Sequence, residues 1–289
     1  MRLSPRPFGR TGLPVTPLVL AHGAIRGSAS RGPALKPEDV ERAFHEQGVT
    51  TFLVYWAWPA MVEGLRRLVR AGHRHELVLL TETGLPGGTF VRRSFEKTAR
   101  AVGVDHVDVC ILGWLRSRGG LGLGSWKALE KLKDEGKTRA IGFSSHDRLL
   151  ATAVAREIRP DVLMLRYNAA HRGIERQVFD ALGNDRPAIL AYTATRWGFL
   201  LKPLPARGFP EAMRAGECYR FVLSHPAVDA VLCAARSPEE LREDVEAVLA
   251  GPLDPGRLEA CRRFGDEVHA AARGGWRWMF REAPGSPSA

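Results

Sequence analysis

The sequence predicts an α/β protein: a closed (β/α)8 barrel of the TIM type, with parallel strands inside and helices outside. Three observations carry this. Short apolar runs rich in Val, Ile and Leu alternate with amphipathic stretches along nearly the whole chain, as buried parallel strands and their crossover helices require. The repeat is near-even and lacks a Gly-x-Gly-x-x-Gly turn, which favours a closed barrel over an open dinucleotide-binding sheet. No Pro/Gly/Ser-rich linker splits the 289 residues. A single domain over residues 1–282 is expected, with a disordered tail at 283–289.

A first strand is expected before His22. The later apolar runs are 51–55, 77–81, 107–112, 140–143, 162–165, 188–192 and 230–233, each of strand length. Residues 37–47 open on Pro-Glu-Asp, which suits a helix N-terminus. Residues 95–102, 125–135 and 238–249 also read as helices. Ser125 and Ser237 are candidate N-caps, and Pro238 falls at a first helical position. Gly48, Gly103 and Gly136 stand where helices should stop. The stretch RSRGGLGLGS (116–125) lies between a strand and a helix. It reads as a mobile βα loop on the C-terminal face of the barrel, not a phosphate loop, because no Gly-Lys-Ser/Thr follows.

Composition narrows the function classes. The chain is 45% hydrophobic and 26% charged, ordinary for a soluble globular protein. No apolar run approaches the roughly 20 residues of a membrane span, and the N-terminus has no secretory pattern. A cytoplasmic protein with no membrane partner is expected. Net charge is +10, but the arginines are scattered. Only RGGWRWMFR (273–281) pairs basic with aromatic residues, so a nucleic-acid partner is not expected. Cys110, Cys218, Cys233 and Cys261 show no C-x-x-C spacing, and the histidines show no H-x-x-x-H. No metal site is expected.

Several segments, in order, resemble the aldo-keto reductases. FGRTGLPVTPLVLAHGA (8–24) is similar to the family's opening. SFEKTARAVGVDHVDVCILGW (94–114) is similar to a helix and strand of the family. LEKLKDEGKTRAIGFSSH (129–146) holds the most specific block, Gly-Lys-x-Arg-x-Ile-Gly-x-Ser. FVLSHPAVDAVLCAARSPEELRED (221–244) resembles the last strand and the adenosine-side helix. The resemblance covers about residues 8–249 and implies the barrel and NAD or NADP as cofactor.

Family chemistry uses a Tyr proton donor, a Lys–Asp pair that lowers the Tyr pKa, and a His that positions the carbonyl. The resemblance puts Leu53 at the Asp position, Trp58 at the Tyr position, Glu82 at the Lys position and Gly113 at the His position. A leucine holds no charge and an indole donates no phenolic proton, so the standard chemistry is expected to be lost. His22 and Glu82 are the candidates for substitute acid–base work, Glu82 if burial raises its pKa. The other reading pairs Glu82 with a nearby arginine and leaves His22 a loop residue. Tyr55 is near in sequence, three residues from Trp58.

On the cofactor side, the resemblance implies Ser144 and Ser145 at the nicotinamide carboxamide, with Met164 where a Gln is usual. It puts Tyr192 against the nicotinamide ring, Arg236 at phosphate, and Glu243 and Asp244 at the adenine. Glu240 stands where an Arg or Gln faces the ribose phosphate and would repel NADP; NAD or no dinucleotide follows. For the retained positions the plainer readings are a strand-end Tyr192, serines that cap the next helix, and a solvated face for Glu243 and Asp244. Tyr55, Trp56, Trp58 and Trp114 are expected near the barrel mouth, either lining a pocket for an apolar or planar ligand or packing in the core.

Three functions follow. The first is an aldo-keto reductase-like pseudoenzyme, inactive in standard carbonyl reduction and retained to bind a small molecule or protein partner. The second is an NAD(P)-dependent oxidoreductase working through His22 or Glu82. The third is a non-redox lyase or isomerase on the same barrel.

Overall fold

A hairpin of β1 (Arg6–Pro7) and β2 (Pro14–Val15) precedes eight parallel strands: β3 (Leu18–Leu20), β4 (Thr51–Leu53), β5 (Val78–Thr83), β6 (Val107–Leu112), β7 (Thr138–Ser145), β8 (Val162–Arg166), β9 (Ala188–Tyr192) and β10 (Ala230–Cys233). In this computed structural model, which describes residues 2–22, 35–84 and 86–271, the eight close into a barrel as β10 pairs with β3. The expected tail at 283–289 and the basic-aromatic stretch at 273–281 lie outside the described residues. No helix among those described is long and apolar enough to cross a membrane.

The helices follow the strands: α1 (Pro37–His45), α2 (Pro59–Arg70), α3 (Gly88–Val102), α4 (Ser125–Asp134), α5 (Arg148–Ile158), α6 (Ala215–Leu223), α7 (Pro238–Leu249) and α8 (Pro255–Ala271). The crossover from β8 to β9 is made by a π-helical turn, Glu175–Asp180. Two buried layers result. One fills the barrel and includes Val19, Leu53, Leu80, Val109, Ile111, Met164 and Leu190. The other lies between strands and helices. The hairpin closes the bottom: Phe8, Leu13 and Val15 are fully buried in the inner layer. Gly9 allows this approach, because a Cβ there would sit 2.8 Å from the Cα of Ala188.

Two expectations need correction. The helix expected at 95–102 begins at Gly88. Two glycines hide its start, and Gly88 packs so tightly on Gly124 that a Cβ would lie 2.9 Å from the Gly124 carbonyl. Ser125 is not an N-cap. Gly124 holds that place in the left-handed region, and Ser125 Oγ accepts the Gly87 N–H at 2.6 Å instead. Ser237 does cap α7, accepting the Glu240 N–H with Pro238 in the first turn.

Near the bottom rim the strands are fastened in pairs by side chains. Asp108 of β6 accepts the N–H of Leu79 on β5 at 2.8 Å, Asp161 before β8 accepts that of Ile141 on β7 at 2.9 Å, and Asp229 before β10 accepts that of Ile189 on β9 at 2.7 Å. Thr51 of β4 does the same for Thr16, just ahead of β3, at 2.8 Å. Each aspartate also meets a cation: Arg74 at 3.0 Å, Lys133 at 2.6 Å and Arg186 at 2.8 Å. The charges fix the carboxylates while the carboxylates satisfy backbone donors that would otherwise be buried unpaired.

Candidate functional site

The C-terminal strand ends form the mouth of the barrel, where loops rather than the sheet decide chemistry. Side chains alternate along each strand. Leu80 and Glu82 on β5, Met164 and Arg166 on β8, and Leu190 and Tyr192 on β9 therefore share inward-facing registers.

Glu82 is the central group. Burial raises its carboxyl to about 7, against a hydrogen bond that favours the charged form. That bond comes from Ser144 Oγ–H, donating to Glu82 Oε1 at 2.7 Å. The same Ser144 oxygen accepts the Trp114 N–H at 2.8 Å, so the hydroxyl is oriented and its proton is committed to Glu82. Gly113 makes room for this carboxylate. A Cβ at position 113 would lie 3.1 Å from Glu82 Cγ and Oε1 and 2.5 Å from the Thr83 carbonyl. Trp114 then takes φ 53°, a left-handed conformation that is costly for a non-glycine residue, and its ring stands half exposed.

Around the ends of β3 and β4 the mouth is aromatic. His22 stacks on Trp58 with ring centres 5.3 Å apart and planes at 20°. Tyr55 meets Trp58 edge-on at 6.1 Å and Trp56 at 5.3 Å. Trp58 stands at the N-cap of α2, and with buried Leu53 it packs on the inner layer. Both expected acid–base candidates thus stand at the mouth, Glu82 held by Ser144 and His22 against an indole.

Most of the positions tied to a dinucleotide are engaged in the protein's own contacts. Ser145 is buried, with Oγ–H donating to the Leu115 carbonyl at 2.7 Å. Neither serine caps the next helix: Asp147 caps α5 by accepting the Leu150 N–H. Met164 is buried in the inner layer. Tyr192 donates to the Ser145 carbonyl at 3.3 Å and stands 3.2 Å from His146 Nδ1. Arg236 is held by Glu240 at 2.9 Å. Glu243 is exposed. Asp244 is not on a solvated face: it is 4% exposed and faces Cys233 at 3.7 Å, and burial raises its carboxyl to about 7.

Sequence reading missed a cationic arc. Arg166, at the end of β8, acts electrostatically on His146, His171, Tyr192 and Arg196. Burial, then Arg166 and Arg116, holds His146 down at about 4. Burial and Arg166 lower Arg196 to about 10, where it donates to the Val268 carbonyl. The available signal was alternation: Arg166 lies two residues beyond Met164 on the inward register. Among the described residues, no group of three or more His, Cys, Asp or Glu could hold a metal ion.

Residues 88–205 match the family model of the Aldo/keto reductase family. A 72-residue segment is 33% identical to Morphine 6-dehydrogenase of Pseudomonas putida, spanning 24% of this chain and 24% of that enzyme. An aldo-keto reductase structure from Bacillus halodurans, in its holo form, superposes with a TM-score of 0.73, covering 92% of this chain and 96% of its own at 17% identity. A structure assigned as an aldo-keto reductase from Pseudomonas aeruginosa gives a TM-score of 0.66, covering 84% and 93% at 21% identity. At these identities the superpositions speak for the fold. The closed parallel barrel is the (β/α)8 fold of the aldo-keto reductases, and residues 88–205 are similar in sequence to that family.

Proposed function

We propose that this barrel does not carry out carbonyl reduction by the family's usual groups, and that its mouth serves to bind a small ligand. The mutual fit of Glu82 and Gly113 carries this reading. A carboxyl group with a committed hydrogen-bond donor fills the space where the family's chemistry would need a lysine, and a histidine side chain at 113 would collide with the Thr83 carbonyl. Leu53 and Trp58 supply neither a carboxylate nor a phenol.

Aldo-keto reductases typically use NAD(P)H, and the residues here fit that cofactor poorly. Ser145 spends its hydroxyl proton on Leu115, Met164 offers no amide, Asp244 faces inward, and Arg236 is neutralised by Glu240. The expected result with NADPH or NADH and a panel of aldehydes and ketones is no turnover, checked by loss of nicotinamide absorbance. Calorimetric titration with both cofactors should give no binding at millimolar concentration.

One observation favours the second reading, an NAD(P)-dependent oxidoreductase with substitute residues. A carboxyl near neutrality can both take and give a proton at working pH. Turnover in the wild type that disappears in Glu82→Gln would establish that reading and overturn the first.

A further inference from the structure

One carboxyl oxygen in the mouth has no internal task. Ser144 donates to Oε1 of Glu82 at 2.7 Å, while Oε2 takes no donor from the described residues. Glu82 is intermediate in exposure rather than sealed under the rim, so this oxygen is open to the space above it. Burial and the Ser144 bond are the influences on the group, and no neighbouring cation adds to them.

Strand order surrounds this carboxyl with rings. β5 lies between β4 and β6 in the barrel. Leu53 of β4 stands beside Leu80, and Ile111 of β6 beside Glu82 itself. Neighbouring strands are about 4.8 Å apart, so rings carried just past the ends of β4 and β6 flank Glu82 on both sides. From β4 come Tyr55 and Trp58, edge-on at 6.1 Å, with Trp58 packed on the inner layer. From β6 comes Trp114. Its N–H shares Ser144 Oγ with Glu82, and its ring edge would lie 4.0 Å from a Cβ at Gly84, two residues beyond the carboxyl. That ring is half exposed, on a residue kept in a costly left-handed conformation.

Aromatic faces and a carboxylate attract the same kind of partner. Ring faces carry negative potential and draw cations, most strongly where water is scarce. The chain shows this preference close by: Lys97 Nζ stands 4.6 Å from the centre of the Trp56 ring, and Trp56 meets Tyr55 at 5.3 Å. A methylated ammonium suits such a place best. It has no N–H donors to leave unpaired, its methyl groups pack on the rings, and its charge pairs with Oε2. The arginines beyond Tyr192 are already engaged: Arg196 donates to the Val268 carbonyl, and Arg166 is itself partnered.

We propose that the mouth binds a small methylated ammonium ion, its head between Trp114 and Trp58 and its charge on the open oxygen of Glu82. This rests on the ligand-binding reading above and names the ligand class.

The test is calorimetric titration of the full chain with choline and with its uncharged isostere 3,3-dimethyl-1-butanol. At pH 8 choline should bind at least about tenfold tighter than the alcohol. Choline needs the ionised carboxyl, which titrates at about 7, so its affinity should fall about tenfold or more on going to pH 5.5, while that of the alcohol stays constant. Tyr192, pushed up, and His146, held at about 4, keep one charge state over this range. His22, stacked on Trp58, is the neighbour able to titrate there. Glu82→Gln should abolish both the preference for choline and its pH dependence. Trp114→Gly, which suits the left-handed backbone and so should fold, should weaken choline at least about threefold. Equal binding of choline and the alcohol would overturn the ammonium assignment and leave the ligand-binding reading intact. A pH dependence that survives in Glu82→Gln would move the effect to His22 and overturn the role of Glu82. Unchanged affinity in Trp114→Gly would overturn the enclosure by rings. Failure of choline to bind at millimolar concentration would overturn this inference alone, because the ligand-binding reading stands or falls on the turnover and cofactor measurements above.

Discussion

At position 82 a carboxyl group takes its character from one glycine and one serine. Gly113 leaves space for it, and Ser144 donates to it. Its pKa of about 7 against an ordinary 4.5 has a consequence for stability. Between these two values the folded protein holds the proton more tightly than the unfolded chain does. The group's contribution is therefore whole below pH 4.5, declines as pH rises, and is lost above about 7. Glu82→Gln keeps the shape and cannot ionise. Its stability relative to the wild type should rise across that window, reaching a gain of about 3 kcal/mol at pH 8. Urea unfolding of both proteins at pH 5 and pH 8 checks this, and a difference that does not change with pH would refute it.

The strands were the most legible elements. The runs at 107–112, 188–192 and 230–233 coincide with β6, β9 and β10, and 140–143 falls inside β7. Strands buried on both faces must be apolar throughout, so composition alone reveals them. Helix starts were less legible, because neighbours decide them. Gly88 opens α3 against Gly124, and the hydroxyl of Ser125 serves Gly87 rather than its own helix. The mouth was legible in part. Glu82 and the aromatic residues stood out by type, while Arg166 follows an apolar run that ends at Leu165, and only the closed ring brings it near Tyr192. His146 and Asp147 lay beside two serines that drew the functional reading. Asp147 is the true cap of α5, and Asp147→Ala should cost about 1 kcal/mol, read as a lower urea midpoint with an unchanged slope. No loss would mean that solvent serves Leu150 N–H as well.

Across the whole molecule, the side-chain fasteners at the bottom rim bear on stability, and their exposure ranks them. Asp108 is 2% exposed and joins the Leu79 N–H to Arg74, with Arg139 at 3.5 Å; Asp161 is more open to water. Asp108→Ala leaves the partly buried Arg74 without its carboxylate and the buried Leu79 N–H without its acceptor. It should cost about 3 kcal/mol, well beyond the loss from Asp161→Ala. Equal losses by chemical denaturation would show that burial does not set the rank. The fasteners also divide the barrel unevenly along its chain. Each one joins a strand to the strand just before it, pairing β3 with β4, β5 with β6, β7 with β8 and β9 with β10. The exposed stretch 116–124 falls between the second pair and the third, so a chain cleaved there separates into two fragments that each keep two fasteners complete. Cleavage between β7 and β8 would leave Asp161 on one fragment and Ile141 on the other. The barrel is thus suited to reassembly from halves at the first break and poorly suited at the second, and new chain ends or an inserted domain belong in the 116–124 loop.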